Sequence, residues 1–233
     1  MDTTLSREYE DYKSQGRIVG RVPQERIRAI RFPRVSDELI ARCLQIKDLT
    51  TSLSDALDMK GINGVVAASH IAPLILGKRI VGHAVTMRSI PERKTVGQCY
   101  QDNEALRMST RDAAFLAERG DVLVCDFGGN RDISNLGGNA CEIALERGIA
   151  GTIVHGAVRD ASTIRDLGYP TWASGITPVT GKFRIEAMEI NGAVTLHGIV
   201  VQPGDLIAAD DSGVCVIPAS LAEEIVAIAE KLK

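Results

Sequence analysis

Two features of the chain hold residue types suited to chemistry. One is the adjacent pair Arg159-Asp160, which follows the apolar run IAGTIVH; the other is the glycine-rich stretch FGGNRDISNLGGNA at residues 127–140. A guanidinium presents a planar fork of donors that can hold an oxygen anion. A neighbouring carboxylate can bind a hard divalent cation, directly or through water, because Mg²⁺ takes few carboxylates and retains part of its water shell. Glycines just before a helix leave amides unpaired at its positive end, a cradle for a phosphate or a small carboxylate. The glycine spacing fits neither GxGxxG nor GxxxxGK[ST], which gives a nucleotide little support. The same residues also admit a structural reading. Asp160 would cap the helix DASTIRDLG, and Arg159 would make a surface ion pair worth about 0–1 kcal/mol.

The surrounding pattern shows what must position these groups. DVLVCD reads as a short buried strand, NACEIALERG as a helix and IAGTIVH as a second buried strand, the order of a right-handed crossover. In open α/β sheets, ligands gather at the carboxyl ends of strands, where Gly138 and Arg159 both fall. RDASTIRDLG adds a helix and YPTWAS a strand. Upstream, Ser36 is placed to cap a helix reaching about Gln45. TTSLSDALDMKG offers hydroxyl caps for a helix stopped by Gly61, and GKRIVGHAVTMRS reads as a strand in which Gly82 marks a bulge or close packing. NEALRMSTRDAAFLAERG has apolar positions three and four apart, predicting a helix ended by Gly120. After Glu189, turn signals at Asn191-Gly192, His197-Gly198, Pro203-Gly204-Asp205 and Asp211-Ser212-Gly213 separate short β-rich runs, the rhythm of an antiparallel meander. SLAEEIVAIAEKLK closes as an amphipathic helix. The fold class is α/β, a single domain over residues 36–233 with sheet layers of mixed type, preceded by a polar arm at 1–35 that would either wrap a neighbouring subunit or stay mobile.

Composition narrows the function classes. A formal net charge of −3 offers no basic excess for a general nucleic-acid binder. No apolar stretch approaches the roughly 20 residues of a membrane span, and the polar start MDTTLSREYEDYKSQGR contains no apolar signal segment, so the expected location is the cytoplasm. Five dispersed cysteines with no CxxC pair read as reduced thiols. Four scattered histidines argue against a zinc cage.

TTSLSDALD, GKRIVGHAVTMR, QDNEAL, GDVLVCDFGG, GIAGTIVHGAVRD and GIVVQPGDLIAADDSGVCVIP, spanning about residues 48 to 218, together resemble the RraA-like family. This family includes the 4-hydroxy-4-methyl-2-oxoglutarate and 4-carboxy-4-hydroxy-2-oxoadipate aldolases. Those aldolases carry a glycine, twenty intervening residues, Arg-Asp, two residues and an acid. Gly138, Arg159 and Asp160 fit that spacing here, and Thr163 stands in the place of the acid. The resemblance implies a layered β/β/α swivelling-type domain and a divalent cation, Mg²⁺ or Mn²⁺, anchored by Asp160. It further implies that Arg159 braces the enolate oxygen of pyruvate, while amides around Gly137, Gly138, Asn139 and Ala140 receive the pyruvyl carboxylate. The substrate would be a small 2-oxo dicarboxylate, cleaved by a retro-aldol reaction or decarboxylated, and the assembly a homotrimer or homohexamer with sites where subunits meet. No lysine lies in the motif, in keeping with a metal route rather than a Schiff base.

Other polar residues invite weighing. Asp126 would orient the site or cap its loop; Asp102-Asn103 would belong to the site or form a helix N-cap; Asp210-Asp211 would pair on a metal or serve a turn. His155 could face the pocket or be packed and satisfied. Two rival functions remain. One is a non-catalytic regulator that binds a ribonuclease, the role of the family's namesake, for which a metal anchor has no use. The other is a sister dehydratase or decarboxylase of sugar-derived 2-oxo acids, in which Thr163 marks a different substrate.

Overall fold

The computed structural model describes residues 3–232. The amino-terminal segment forms helix α1 (Thr3–Ser14) and a 3₁₀ turn at Gln24–Arg26, and it packs on the chain's own domain. Tyr12, Val22, Ile27 and Ile30 are buried in the domain core, so the arm packs on the chain's own domain. Helices α2 (Asp37–Gln45) and α3 (Leu49–Met59) follow. Ser36 Oγ accepts the Leu39 N–H at 3.2 Å, as the sequence suggests. α3 departs from the expected hydroxyl cap: Asp48 takes the N-cap position with φ 47°, and Thr50 donates its N–H and Oγ1–H to Asp210 instead.

Strands β1 (Val65–Ala67), β2 (Ala72–Pro73) and β3 (Ile80–Pro91) come next. The helix expected over 103–119 is broken. Helix α4 (Val96–Gln101) ends before it, Asn103 is left-handed (φ 51°), and only α5 (Thr110–Leu116) is helical. The crossover unit is β4 (Val122–Asp126), a short β5 (Ser134–Leu136) inside the glycine loop, α6 (Gly138–Glu146) and β6 (Gly151–Val158). Then come α7 (Ala161–Asp166) and β7 (Thr171–Ile176), followed by β8 (Ile185–Ile190), β9 (Val194–Leu196), β10 (Ile199–Val201), β11 (Leu206–Asp210), β12 (Gly213–Ile217) and α8 (Ala222–Ala229).

The sheet is mixed. β3, β4, β6 and β7 run parallel, whereas β1, β12, β11 and β3 pair antiparallel. Alternation along each strand feeds different cores. Leu123 and Cys125 of β4 face the cluster under α5, α6 and α7, whereas Val122 and Val124 face a cluster shared with Ile207, Ala209, Val214 and Val216. Leu206, Ala208, Cys215 and Ile217 point the other way, to α2, α3 and α8. Strands buried on both faces explain why the runs read as continuously apolar. Gly82 marks close packing, since a Cβ there would lie 2.1 Å from the Gly120 carbonyl oxygen.

One buried ion pair fastens the arm to the base of the sheet. Arg34 meets the fully buried Asp121 in a bidentate pair at 2.8 and 2.7 Å. His83 sits beside them, its Nε2 accepting the Val35 N–H at 3.0 Å. Burial alone would raise the Asp121 carboxyl, but bonds from His83, Arg34 and the Glu118 amide outweigh it and hold the group below its usual value of 3.8. A depressed carboxylate stabilises the fold above its unfolded pKa, and that stability is lost as pH falls through the folded value. Asp121→Asn should therefore cost about 3 kcal/mol in urea unfolding at pH 7, by breaking a buried pair. The deficit relative to wild type should shrink as the titration is moved to acid below the carboxylate range.

Candidate active site at the Arg159–Asp160 junction

β6 ends at Val158, and the chain turns sharply. Asp160 adopts φ 56°, ψ 40°, a left-handed conformation uncommon outside glycine, and helix α7 starts directly after it. It occupies the N-cap position without a side-chain capping bond to its own helix. Its carboxylate reaches sideways instead. Oδ2 accepts the Gly138 N–H at 3.1 Å and lies 3.3 Å from Arg159 Nε. Oδ1 has no partner among the described residues, and the side chain is 41% exposed. The start of α6 and the start of α7 are thus joined through one carboxylate, with one oxygen free.

Both glycines of the motif are required by close approach. A Cβ at Gly137 would lie 2.9 Å from Asp160 Oδ2 and 3.1 Å from Arg159 Cγ, and one at Gly138 would lie 2.9 Å from Thr163 Cγ2. Thr163 therefore packs its methyl group against the start of α6. The expected four-amide cradle narrows: Gly138 N–H is taken by Asp160, and Ala140 N–H donates to the Gly137 carbonyl at 3.0 Å. The amides of Gly137 and Asn139 have no acceptor among the described residues and stay open to an anion at the end of α6.

A cation at this place fits the donor set. Asp160 offers one open oxygen in a solvated position, and no group of three or more His, Cys, Asp or Glu among the described residues converges on a metal. This arrangement suits a hard ion held by one carboxylate, waters and substrate oxygens rather than a closed cage.

The other acids are fasteners. Asp126 is buried at the end of β4; Oδ1 accepts the Gly128 N–H and lies 3.3 Å from His155 Nδ1, and Oδ2 accepts both the N–H and the Oγ1–H of Thr195. Burial would raise it, and these bonds lower it below 3.8. It caps its loop and pins β9. Asp210 and Asp211 serve turns, accepting from Thr50 and Ser212 and from Gly77. Asp102 ends α4 in an ion pair with Lys94. His155 is packed against Asp126, and His70 stacks on His197 with ring centroids 3.6 Å apart. All five cysteines are free and buried.

Sequence reasoning overlooked Arg88. It lines a cleft of about 480 Å³ with Ser89, Ile90, Pro91, Asp126 and the start of the glycine loop. Its place in the period-two face of β3, alongside Ala84 and Thr86, was the available signal.

A layered mixed sheet with a crossover whose glycine and Arg-Asp ends meet defines an aldolase/RraA type of domain. The chain belongs to the RraA-like family, whose profile (Aldolase/RraA) matches residues 50–216. It is 36% identical to protein DlpA of Legionella pneumophila over 177 residues, which is 76% of this chain but only 27% of that protein. It is 32% identical to the 4-hydroxy-4-methyl-2-oxoglutarate aldolase of Thermus thermophilus over 119 residues, 51% of this chain and 70% of the relative. Among solved structures it resembles Streptomyces coelicolor RraAS2, described as an unusual member of the RNase ES inhibitor RraA protein family, with a TM-score of 0.69 and 28% identity over 85% of this chain and 93% of that one.

The contact between Gly138 and Thr163 is directly testable. Gly138→Ala should cost about 1 kcal/mol in urea unfolding through overpacking. The double variant Gly138→Ala/Thr163→Ala should lose less than the two single changes added together, because the methyl that clashes is gone.

Proposed function

We propose that the chain is a divalent-metal-dependent carbon–carbon lyase acting on small 2-oxo dicarboxylates. The single observation behind this reading is the solvated Asp160 carboxylate with one open oxygen, set beside Arg159 and two open amides at the start of α6. In retro-aldol cleavage of 4-hydroxy-4-methyl-2-oxoglutarate, the C4 hydroxyl loses its proton and the C3–C4 bond breaks. Pyruvate departs, together with a second pyruvate as its enolate, which is then protonated at C3. Decarboxylation of oxaloacetate breaks the bond to the C4 carboxylate and leaves the same enolate. Mg²⁺ or Mn²⁺ at Asp160 would supply Lewis acidity toward the keto oxygen.

The chain's own groups orient and stabilise. The open amides of Gly137 and Asn139 receive the pyruvyl carboxylate, and the Arg159 guanidinium braces the oxygen on which enolate charge develops. Arg159 is held by its neighbour, 3.3 Å from Asp160, and so is partly preorganised. A homotrimer or homohexamer would bring further groups to this open edge. The ribonuclease-regulator reading is favoured by the likeness to RraAS2, but it gives no role to the free oxygen of Asp160.

Pyruvate release should be measured from both substrates with Mg²⁺ or Mn²⁺ and again with chelator. Chelation should abolish turnover, and Asp160→Ala should lower kcat/KM by about 10²–10³-fold, the scale of losing one preorganised electrostatic group. Turnover indifferent to both would reject the reading. Tight ribonuclease binding without turnover would move the protein to the regulator class.

A further inference from the structure

The cleft next to the junction contains an arginine that the reading above does not use. β4 pairs with β6 as far as Asp126 opposite His155; beyond it, β5 takes the same place beside β6 from Ser134 onward. The gap between the end of β4 and the return of β5 is the cleft. Its walls are Arg88, Ser89, Ile90 and Pro91 of β3, the segment Asp126–Asn130, and Thr195. Ser89 Oγ lies 3.4 Å from Asn135 Nδ2 on β5, and Gly137 follows two residues later, about 7 Å along an extended chain. One wall of the cleft is thus tied to the strand that leads, two residues on, to the open amides at the start of α6.

Its two charged residues differ in how far they are satisfied. Arg88 is the only cation among the lining residues, and Asp126 the only anion. Every oxygen of Asp126 is already engaged by Gly128, His155 or Thr195. Arg88 is only partly satisfied. Its Nη2 lies 2.6 Å from Glu189 Oε1, while its buried Nε has no partner. Glu189 is itself shared with Arg28, at 3.1 Å, so two guanidinium groups divide one carboxylate and a positive charge is left over within the trio. Ile90, Pro91 and Phe127 give the wall an apolar part, beside the polar Ser89, Asn130 and Thr195.

We infer that Arg88 receives the far carboxylate of a 2-oxo dicarboxylate whose pyruvyl end lies at Arg159 and Asp160, and that it selects diacids over monoacids. This rests on the lyase reading above. The partly exposed guanidinium supplies a charge-assisted, fork-shaped contact for that carboxylate. Ile90, Pro91 and Phe127 pack against the substituent at C4. A monocarboxylic analogue would leave Arg88 facing an apolar group, and sites built to pair a polar group reject partners that lack it.

The test compares pyruvate release from 4-hydroxy-4-methyl-2-oxoglutarate and from the monocarboxylic 4-hydroxy-2-oxopentanoate, with Mn²⁺ saturating. Wild type should prefer the diacid in kcat/KM by at least tenfold. Arg88→Gln should raise KM for the diacid by at least tenfold with kcat changed less, and should leave the monoacid unaffected, collapsing the preference. Arg88→Lys should restore part of it, and Arg131→Gln, an exposed cation on the same loop, should leave it intact. Thermal melting of each variant separates lost discrimination from lost fold, because only the former spares the monoacid. A preference unchanged in Arg88→Gln, or equal losses on both substrates, would overturn the assignment to Arg88 while leaving the lyase reading in place. A wild type that releases pyruvate from neither compound, nor from oxaloacetate, would overturn both.

Discussion

The bond from the Gly138 amide to the Asp160 carboxylate is the constraint on which the site is built. It links the beginning of one helix to the beginning of the next, across the strand that separates them in the chain. For the two ends to meet, the intervening residues must make one helix outward and one strand back, which is what α6 and β6 do. The twenty residues between Gly138 and Arg159 are thus the length of a single crossover. The contact also goes with the left-handed turn at Asp160: an ordinary N-cap is extended and aims its side chain at its own helix, whereas Asp160 aims its carboxylate at Gly138. A conformation of this kind costs roughly 1–3 kcal/mol and persists only where the surroundings fix it. Here the paired strands on either side, the α6 amide and the Arg159 side chain fix it.

The chain uses acids in two ways, and solvent exposure tells them apart. Asp121 and Asp126 are buried, saturated with donors and depressed below the ordinary carboxylate range. Asp112 is buried as well. Burial lifts it above 3.8 even though its Oδ1 accepts the Arg21 and Val22 amides. All three tie separate segments together: the arm to β4 and α5, and β9 to the glycine loop. Asp160 is open to solvent on one oxygen and still positioned on the other. On the proposed reading Asp160 would exchange ligands, and that combination suits it, because a fully paired carboxylate would have to give up its donors before it could bind anything else.

Much of this was legible in the residues. The strand, loop, helix and strand of the crossover follow from apolar runs punctuated by glycine, and the carboxyl-end rule placed Gly138 and Arg159 together before any geometry was known. The hairpin turn at His197-Gly198 and the turn at Asp211-Ser212 also fell where turn chemistry put them. The misreadings share a cause in long-range contacts. The apolar spacing of residues 103–119 mimics a helix, but Arg17 from the distant arm donates to the carbonyls of Phe115, Leu116 and Ala117 and helps end α5 early. β5 was hidden because three residues within a loop show no period. Asp126 stayed open between orienting the site and capping its loop, because nothing in the sequence announces Thr195 as its partner.

On the proposed reading, Thr163 bears on how the site would hold a cation. Its methyl group is packed against Gly138, leaving Asp160 as the carboxylate at this junction. A hard cation attached through one carboxylate keeps most of its water and gains further ligands from the substrate. On the proposed reading, ion and 2-oxo acid would then bind with mutual support, each supplying contacts the other lacks. The electrostatic balance points the same way. Arg159 offsets the charge of Asp160, so a divalent ion would leave the site net positive, complementary to a substrate with two carboxylates. An acid at position 163 would reduce that excess; threonine preserves it.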